Sequence, residues 1–174
     1  MYQANLSKDQ RLFLIILGNT IIKEMIHLDK AQAIQEMTDV LNTSKVGVLS
    51  TAYHNQPNSR YMVFYNDGLE LYTKTNINSI KVAEIQNNPR AYILLGYNDT
   101  KQRSFVEIDA NIEVVTDQQT IDWLWETQDK SFFSSKDDPE LCVLKVTPKT
   151  IKLMNDPDLD TQQHWTYPNK RINN

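Results

Sequence analysis

Only four glycines occur among the 174 residues, and none of them belongs to a phosphate-cradling loop, so neither a P-loop nor a GxGxxG turn exists on this chain. The two commonest nucleotide loops are excluded. Cysteine is scarcer still. Cys142 stands alone, which rules out an internal disulfide, and its apolar neighbours Leu141, Val143 and Leu144 mark it as a small buried hydrophobe suited to a reducing cytoplasm. The three histidines, His27, His54 and His164, are far apart and show no HxH or HxxxH spacing. No metal site is expected, and each reads as a surface or capping residue. Eighteen basic residues against twenty-two acidic ones leave a net charge of −4, with no basic block to track a polyanion. Nucleic acid is therefore excluded as a partner.

A long hydrophobic run is missing too. Leu12 to Leu17 is apolar and resumes at Ile21 and Ile22 after Gly18, Asn19 and Thr20, well short of the roughly 20 residues that span a bilayer. Lys23, Glu24 and His27 follow, where a signal peptide would carry small residues. Neither membrane insertion nor secretion is expected, and the cytoplasm is the expected location. Residues 1–28 read as an N-terminal extension: either an amphipathic helix packed on the domain, or a non-native leader with translation starting at Met25.

What is present suffices for one domain, since a chain of this size buries roughly 70% of its unfolded surface. Residues 29–154 carry the pattern and residues 155–174 read as a polar tail. Asp29 with Gln32 forms a capping-box pair, and Ile34, Met37, Val40 and Leu41 recur at helical spacing, predicting a helix over 29–42. Period two then takes over in 45–53, 59–65 and 69–73, separated by Asn55-Gln56-Pro57 and Asn66-Asp67-Gly68. A helix over 77–87 ends at Asn87-Asn88-Pro89. Strands follow over 90–97 and 104–115, then a helix over 117–130, and strands over 141–146 and 150–154 around Thr147-Pro148. Three successive strands argue against a parallel α/β sheet. The expected fold is mainly β, a six-stranded antiparallel split barrel with peripheral helices and an N-terminal helix, since closure removes exposed strand edges.

One set of groups suits an anion. Arg60 and Met62 share a strand face, Tyr72 and Thr73 end the next strand, and Ser79 and Lys81 fall in the first turn of the following helix. Free backbone N–H groups and the helix dipole favour a phosphate there. The same residues also fit a plainer reading, with Arg60 and Lys81 solvated and Ser79 an ordinary cap.

The ordered stretches Lys45-Val-Gly-Val-Leu-Ser-Thr51, Ser59-Arg-Tyr-Met62, Leu71-Tyr-Thr73, Ser79-Ile-Lys81 and Asn88-Pro89 tip the balance. They resemble the pyridoxamine 5′-phosphate oxidase-like family, in particular its general stress protein branch, over roughly residues 31–154. The resemblance implies an FMN-binding split barrel that forms homodimers with the flavin between subunits. Arg60 and Lys81 would bind the FMN phosphate with Ser79 and Thr73 as hydroxyl donors, and Tyr61, Met62 and Tyr72 would line the ribityl chain and ring. Ser104 falls where the oxidases carry a glutamine that reaches the flavin across the dimer, and Ile80 replaces one of their arginines. Trp123 and Trp125 read as core or interface rather than as ring partners.

The resemblance thus implies an FMN-dependent oxidoreductase of the stress protein type, acting on a small redox substrate it does not name. The alternatives are pyridoxamine 5′-phosphate oxidase itself or a non-catalytic flavin module. Oxidases with that activity end in Arg-Leu-x-Pro, whereas this tail reads Trp165-Thr-Tyr-Pro-Asn-Lys-Arg-Ile172. Related barrels accept a deazaflavin or haem, which an absorption spectrum separates from FMN.

Overall fold

The first helix begins well before the sequence suggests. In the computed structural model, which describes residues 8–97, 104–127, 132–154 and 164–166, α1 spans Lys8–Thr43 and runs straight through Asp29. A capping signal starts a helix only where the preceding backbone leaves the helical region, and no Gly or Pro lies between Asn19 and Leu28 to make it do so. The C-terminal part of α1 buries Ala33, Met37, Val40 and Leu41 against the sheet, one helical stripe at the spacing expected.

Strands β1 (Val46–Tyr53) and β2 (Gln56–Val63) form a hairpin paired from Val46↔Val63 to Tyr53↔Gln56. Its turn is His54-Asn55, with φ of 48° and 63°. Two-residue turns of the primed type need both central residues left-handed, and Asn tolerates that well. Pro57, expected in the turn, instead lies within β2, and β2 is an edge strand where a missing N–H leaves no ladder bond unmade. Phe64 then turns inward and is buried, and β3 (Tyr65–Asp67) pairs with β4 (Glu70–Asn76) across Gly68. Helix α2 (Ile80–Asn87), β5 (Arg90–Leu95), β6 (Phe105–Val115), α3 (Gln118–Thr127), β7 (Leu141–Met154) and β8 (His164–Thr166) complete the order.

All strand pairs are antiparallel, in the order β2-β1-β5-β6-β7-β4-β3, with β8 beside β7. The sheet curls until β2 approaches β4, giving the split-barrel form expected. Among the described residues it holds eight strands rather than six. The short β3 and β8 escape a pattern search because three residues carry no period. The two strands expected around Pro148 are one, since β6 pairs along their whole length and absorbs the proline at a register shift beside Asp109/Ala110.

Leu49, Ile93, Ile108, Leu144 and Ile151 fill the interior. A second cluster forms on the outer face, where Ile121 and Leu124 of α3 cover Tyr72, Leu141 and Val143. Residues 141–144 are therefore buried on both faces, which is why they are apolar without alternation. Cys142 among them is fully buried, its thiol donating to the Thr75 carbonyl at 3.4 Å. Among the described residues no helix is long and apolar enough to cross a membrane.

Candidate functional site

A cavity of about 500 Å³ opens between β2, β4, the first turn of α2 and residues 132–140. That volume lies within the range of pockets for drug-sized ligands. Val46, Tyr61, Met62, Val63, Tyr65, Phe132 and Phe133 make one part of its wall apolar, while Thr73, Lys74, Thr75, Asn76, Lys81, Asp138 and Glu140 make the rest polar. Alternation on β4 turns Thr73 and Thr75 to one face, and the curl of the sheet brings them opposite β2.

The cationic part of the wall is built around α2. Lys81 donates from Nζ to Thr75 Oγ1 at 2.9 Å. Burial pushes its pKa below the usual lysine value, and the nearby charge of Arg60 pushes the same way. A lysine held in this manner gains from an anion that favours its charged form. Ser79 is the N-cap of α2, yet its hydroxyl makes no capping bond. Its Oγ is the buried side-chain polar atom left without a partner among the described residues. The plain reading of Ser79 as an ordinary cap therefore does not hold in this geometry.

Arg60 is neither solvated nor free. Its Nη1 donates to Thr51 Oγ1 at 2.6 Å and its Nη2 to Glu84 at 2.8 Å, with the Arg60 side chain 19% exposed. Glu84 also accepts from Thr51 Oγ1 at 2.6 Å and Asn58 Nδ2 at 2.9 Å. Burial raises the Glu84 pKa, but these three hydrogen bonds and the guanidinium charge outweigh it and hold the carboxyl below its usual range. Elsewhere on the wall, Glu140 is fixed by the amides of Asn76 and Asn78 at 2.8 and 3.3 Å.

Of the residues singled out by sequence, Tyr61, Met62, Thr73 and Lys81 line the cavity together. Arg60 and Ser79 are not among the lining residues, although the charge of Arg60 lies close enough to Lys81 to lower that lysine's pKa. Tyr72 lies in the second core instead, donating to Glu70 Oε2 at 3.0 Å, with its ring edge-on to Trp123 at 4.8 Å. Strand alternation sends it to the face opposite Thr73. Ser104 is buried beside Gly96, outside the lining. Trp125 packs on the same second core as Tyr72, with Lys74 5.5 Å from its ring centroid. Among the described residues no three His, Cys, Asp or Glu side chains gather as for a metal.

Several lining residues were not legible in sequence. Thr75 could have been found, being two residues after Thr73 on the same strand face. Phe132, Phe133, Asp138 and Glu140 carry no local signal, and reach the site because β4 and β7 pair from Leu71↔Val146 to Asn76↔Leu141.

Three comparisons bear on this arrangement. The family described as pyridoxamine 5′-phosphate oxidase matches residues 33–155. General stress protein 26 of Bacillus subtilis (strain 168) is 39% identical over 122 residues, covering 70% of this chain and 87% of that protein. Among solved structures, a candidate pyridoxamine 5′-phosphate oxidase from Listeria innocua is 32% identical with a TM-score of 0.65, covering 71% of this chain and 98% of that one. General stress protein 26 from Bacillus anthracis str. Sterne has a TM-score of 0.67 at 24% identity, over 76% of this chain and 97% of that one.

Proposed function

The chain belongs to the pyridoxamine 5′-phosphate oxidase family, and from that membership we propose that it binds FMN in the cavity at α2 and serves as a flavin-dependent oxidoreductase of the general stress protein type. The observation that carries the reading is Ser79 Oγ, buried and unpartnered at the N-cap of the helix whose Lys81 lines the cavity, Ser79 itself standing near the lining residues in sequence rather than among them. A buried hydroxyl without a partner costs about 1–3 kcal/mol. A phosphate oxygen beside it would remove that cost and favour the charged form of Lys81.

In this reading Lys81, Ser79, Thr73 and Thr75 hold the phosphate, with Arg60 adding charge from the adjoining cluster. Met62 and Tyr61 lie along the ribityl chain and ring, and Phe132 and Phe133 supply apolar surface. When bound, flavin would supply the electron-transfer chemistry, and the protein would orient it and exclude water. Tyr72 acts from behind β4 as support. A second copy of the chain would cover the outer sheet face, where the cross-strand row Tyr61, Val48, Leu94 runs beside Val46 and Val63 at the cavity. Tyr61 is 78% exposed and Val46 60%, an apolar area that suits a two-fold partner.

The purified protein should show a flavin absorption spectrum or gain one with added FMN, and should bind FMN more tightly than riboflavin. Lys81→Ala should weaken FMN roughly tenfold, equivalent to about 1.4 kcal/mol, and leave riboflavin unchanged. Equal affinity for FMN and riboflavin would refute the phosphate assignment. A flavin-loaded monomer in sedimentation would refute the two-fold arrangement.

A further inference from the structure

Glu84 lies three residues after Lys81 on α2, 7% exposed, and takes part in no contact that the proposed flavin reading uses. Its Oε2 accepts from both Arg60 and Thr51, and its Oε1 from Asn58. Arg60 and Glu84 act on Lys81 with opposite sign, the first lowering and the second raising its pKa, so the three side chains form one electrostatic unit. Two of the five guanidinium N–H donors are already committed, one to Thr51 and one to Glu84. Carboxylate and phosphate both take charge-assisted hydrogen bonds from a guanidinium, so either can serve as its counter-ion.

Building on the phosphate reading above, we propose that Glu84 is an internal competitor for Arg60: the carboxylate serves as the guanidinium's counter-ion and so limits the affinity of the site for a phosphate monoester. A phosphate dianion entering beside Lys81 meets two cations and one fixed anion. Removing the anion's charge strengthens attraction for the dianion in a partly desolvated site, where Coulomb energies are several-fold larger than in water. The same change leaves Arg60 buried without a counter-ion in the empty protein. Glu84 therefore trades affinity for stability of the unliganded state, which suits a site that exchanges its ligand.

Glu84→Gln separates the two effects. The amide retains an acceptor for Arg60 and Thr51, and Asn58 can turn its own carbonyl towards the new NH2. The full-length variant should melt below the wild type without ligand, and should bind FMN and inorganic phosphate about tenfold more tightly. Riboflavin affinity should not change. In an Arg60→Ala background, Glu84→Gln should lose most of its effect on FMN, the signature of action through the guanidinium.

Asn58→Lys, at an exposed position, offers Glu84 another cation and keeps the carboxylate in place, so it serves if the first variant folds poorly. It should also tighten FMN, and again less in the Arg60→Ala background. FMN affinity that falls or stays level in the folded variants, while the wild type still prefers FMN to riboflavin, overturns the competitor role. A wild type indifferent to the phosphate fails the underlying reading instead.

Discussion

Arg60→Ala probes the cluster at β1, β2 and α2 through stability, without any ligand. The substitution leaves Glu84, 7% exposed, with hydrogen bonds from Thr51 and Asn58 but without its ion-pair partner. Breaking a buried ion pair by removing one partner costs roughly 3–5 kcal/mol. Two hydrogen bonds remain and Arg60 is 19% exposed, so the low end applies, about 3 kcal/mol. For a chain of this length that lowers Tm by roughly 6–12 °C. The loss depends on pH with a definite sign. In the wild type Glu84 titrates below its usual range, so its stabilisation is present above the unfolded value of about 4.3 and is lost as pH falls through the folded value. Without Arg60, its hydrogen bond and charge no longer oppose burial, so the folded pKa of Glu84 moves up toward the unfolded one and the variant has less stabilisation to lose as pH falls through the wild-type value. Urea denaturation at pH 7.5 and about pH 3.5 should therefore show a wide gap between the two proteins at the higher pH and a narrower one at the lower. Equal midpoints, or the same gap at both pH values, would refute the buried-pair argument.

Gly47→Ala should destabilise the fold by about 1–3 kcal/mol, because a Cβ there would lie 2.6 Å from Leu95 Cδ1 and 2.7 Å from the Leu94 carbonyl oxygen, and that backbone atom cannot step aside. Chemical denaturation with an unchanged midpoint would count against this packing of β1 on β5. Burial, together with the hydrogen bond it donates to Glu107 at 2.7 Å, raises the Tyr92 pKa to about 12. Ultraviolet titration of the wild type against Glu107→Gln should show one tyrosine whose ionisation moves down toward the ordinary range in the variant, and no movement would disprove the contact.

The alternation in β1, with Gly47, Leu49 and Thr51 inward, is written in the sequence, because a period of two depends only on neighbours along one strand. So are the Gly68 turn, the inward stripe of α1 from Ala33 to Leu41, and Lys81 in the first turn of its helix, all local features of backbone geometry, although the helix begins at Ile80 rather than at residue 77. The split barrel followed from these local elements and their order, and the motifs named the family.

The structure decided what lies opposite each face. Tyr72 and Thr73 are adjacent in sequence, yet one packs under α3 and the other lines the cavity, since neighbouring side chains on a strand point to opposite sides. Arg60 reads as a phosphate ligand from its motif, whereas its counter-ion in the fold is Glu84, 24 residues away on α2. Phe132 and Glu140 reach the site because β7 pairs with β4. Sequence spacing determines the direction a side chain takes from its own backbone, but the partner it meets is set by long-range pairing and curvature, which no short window contains.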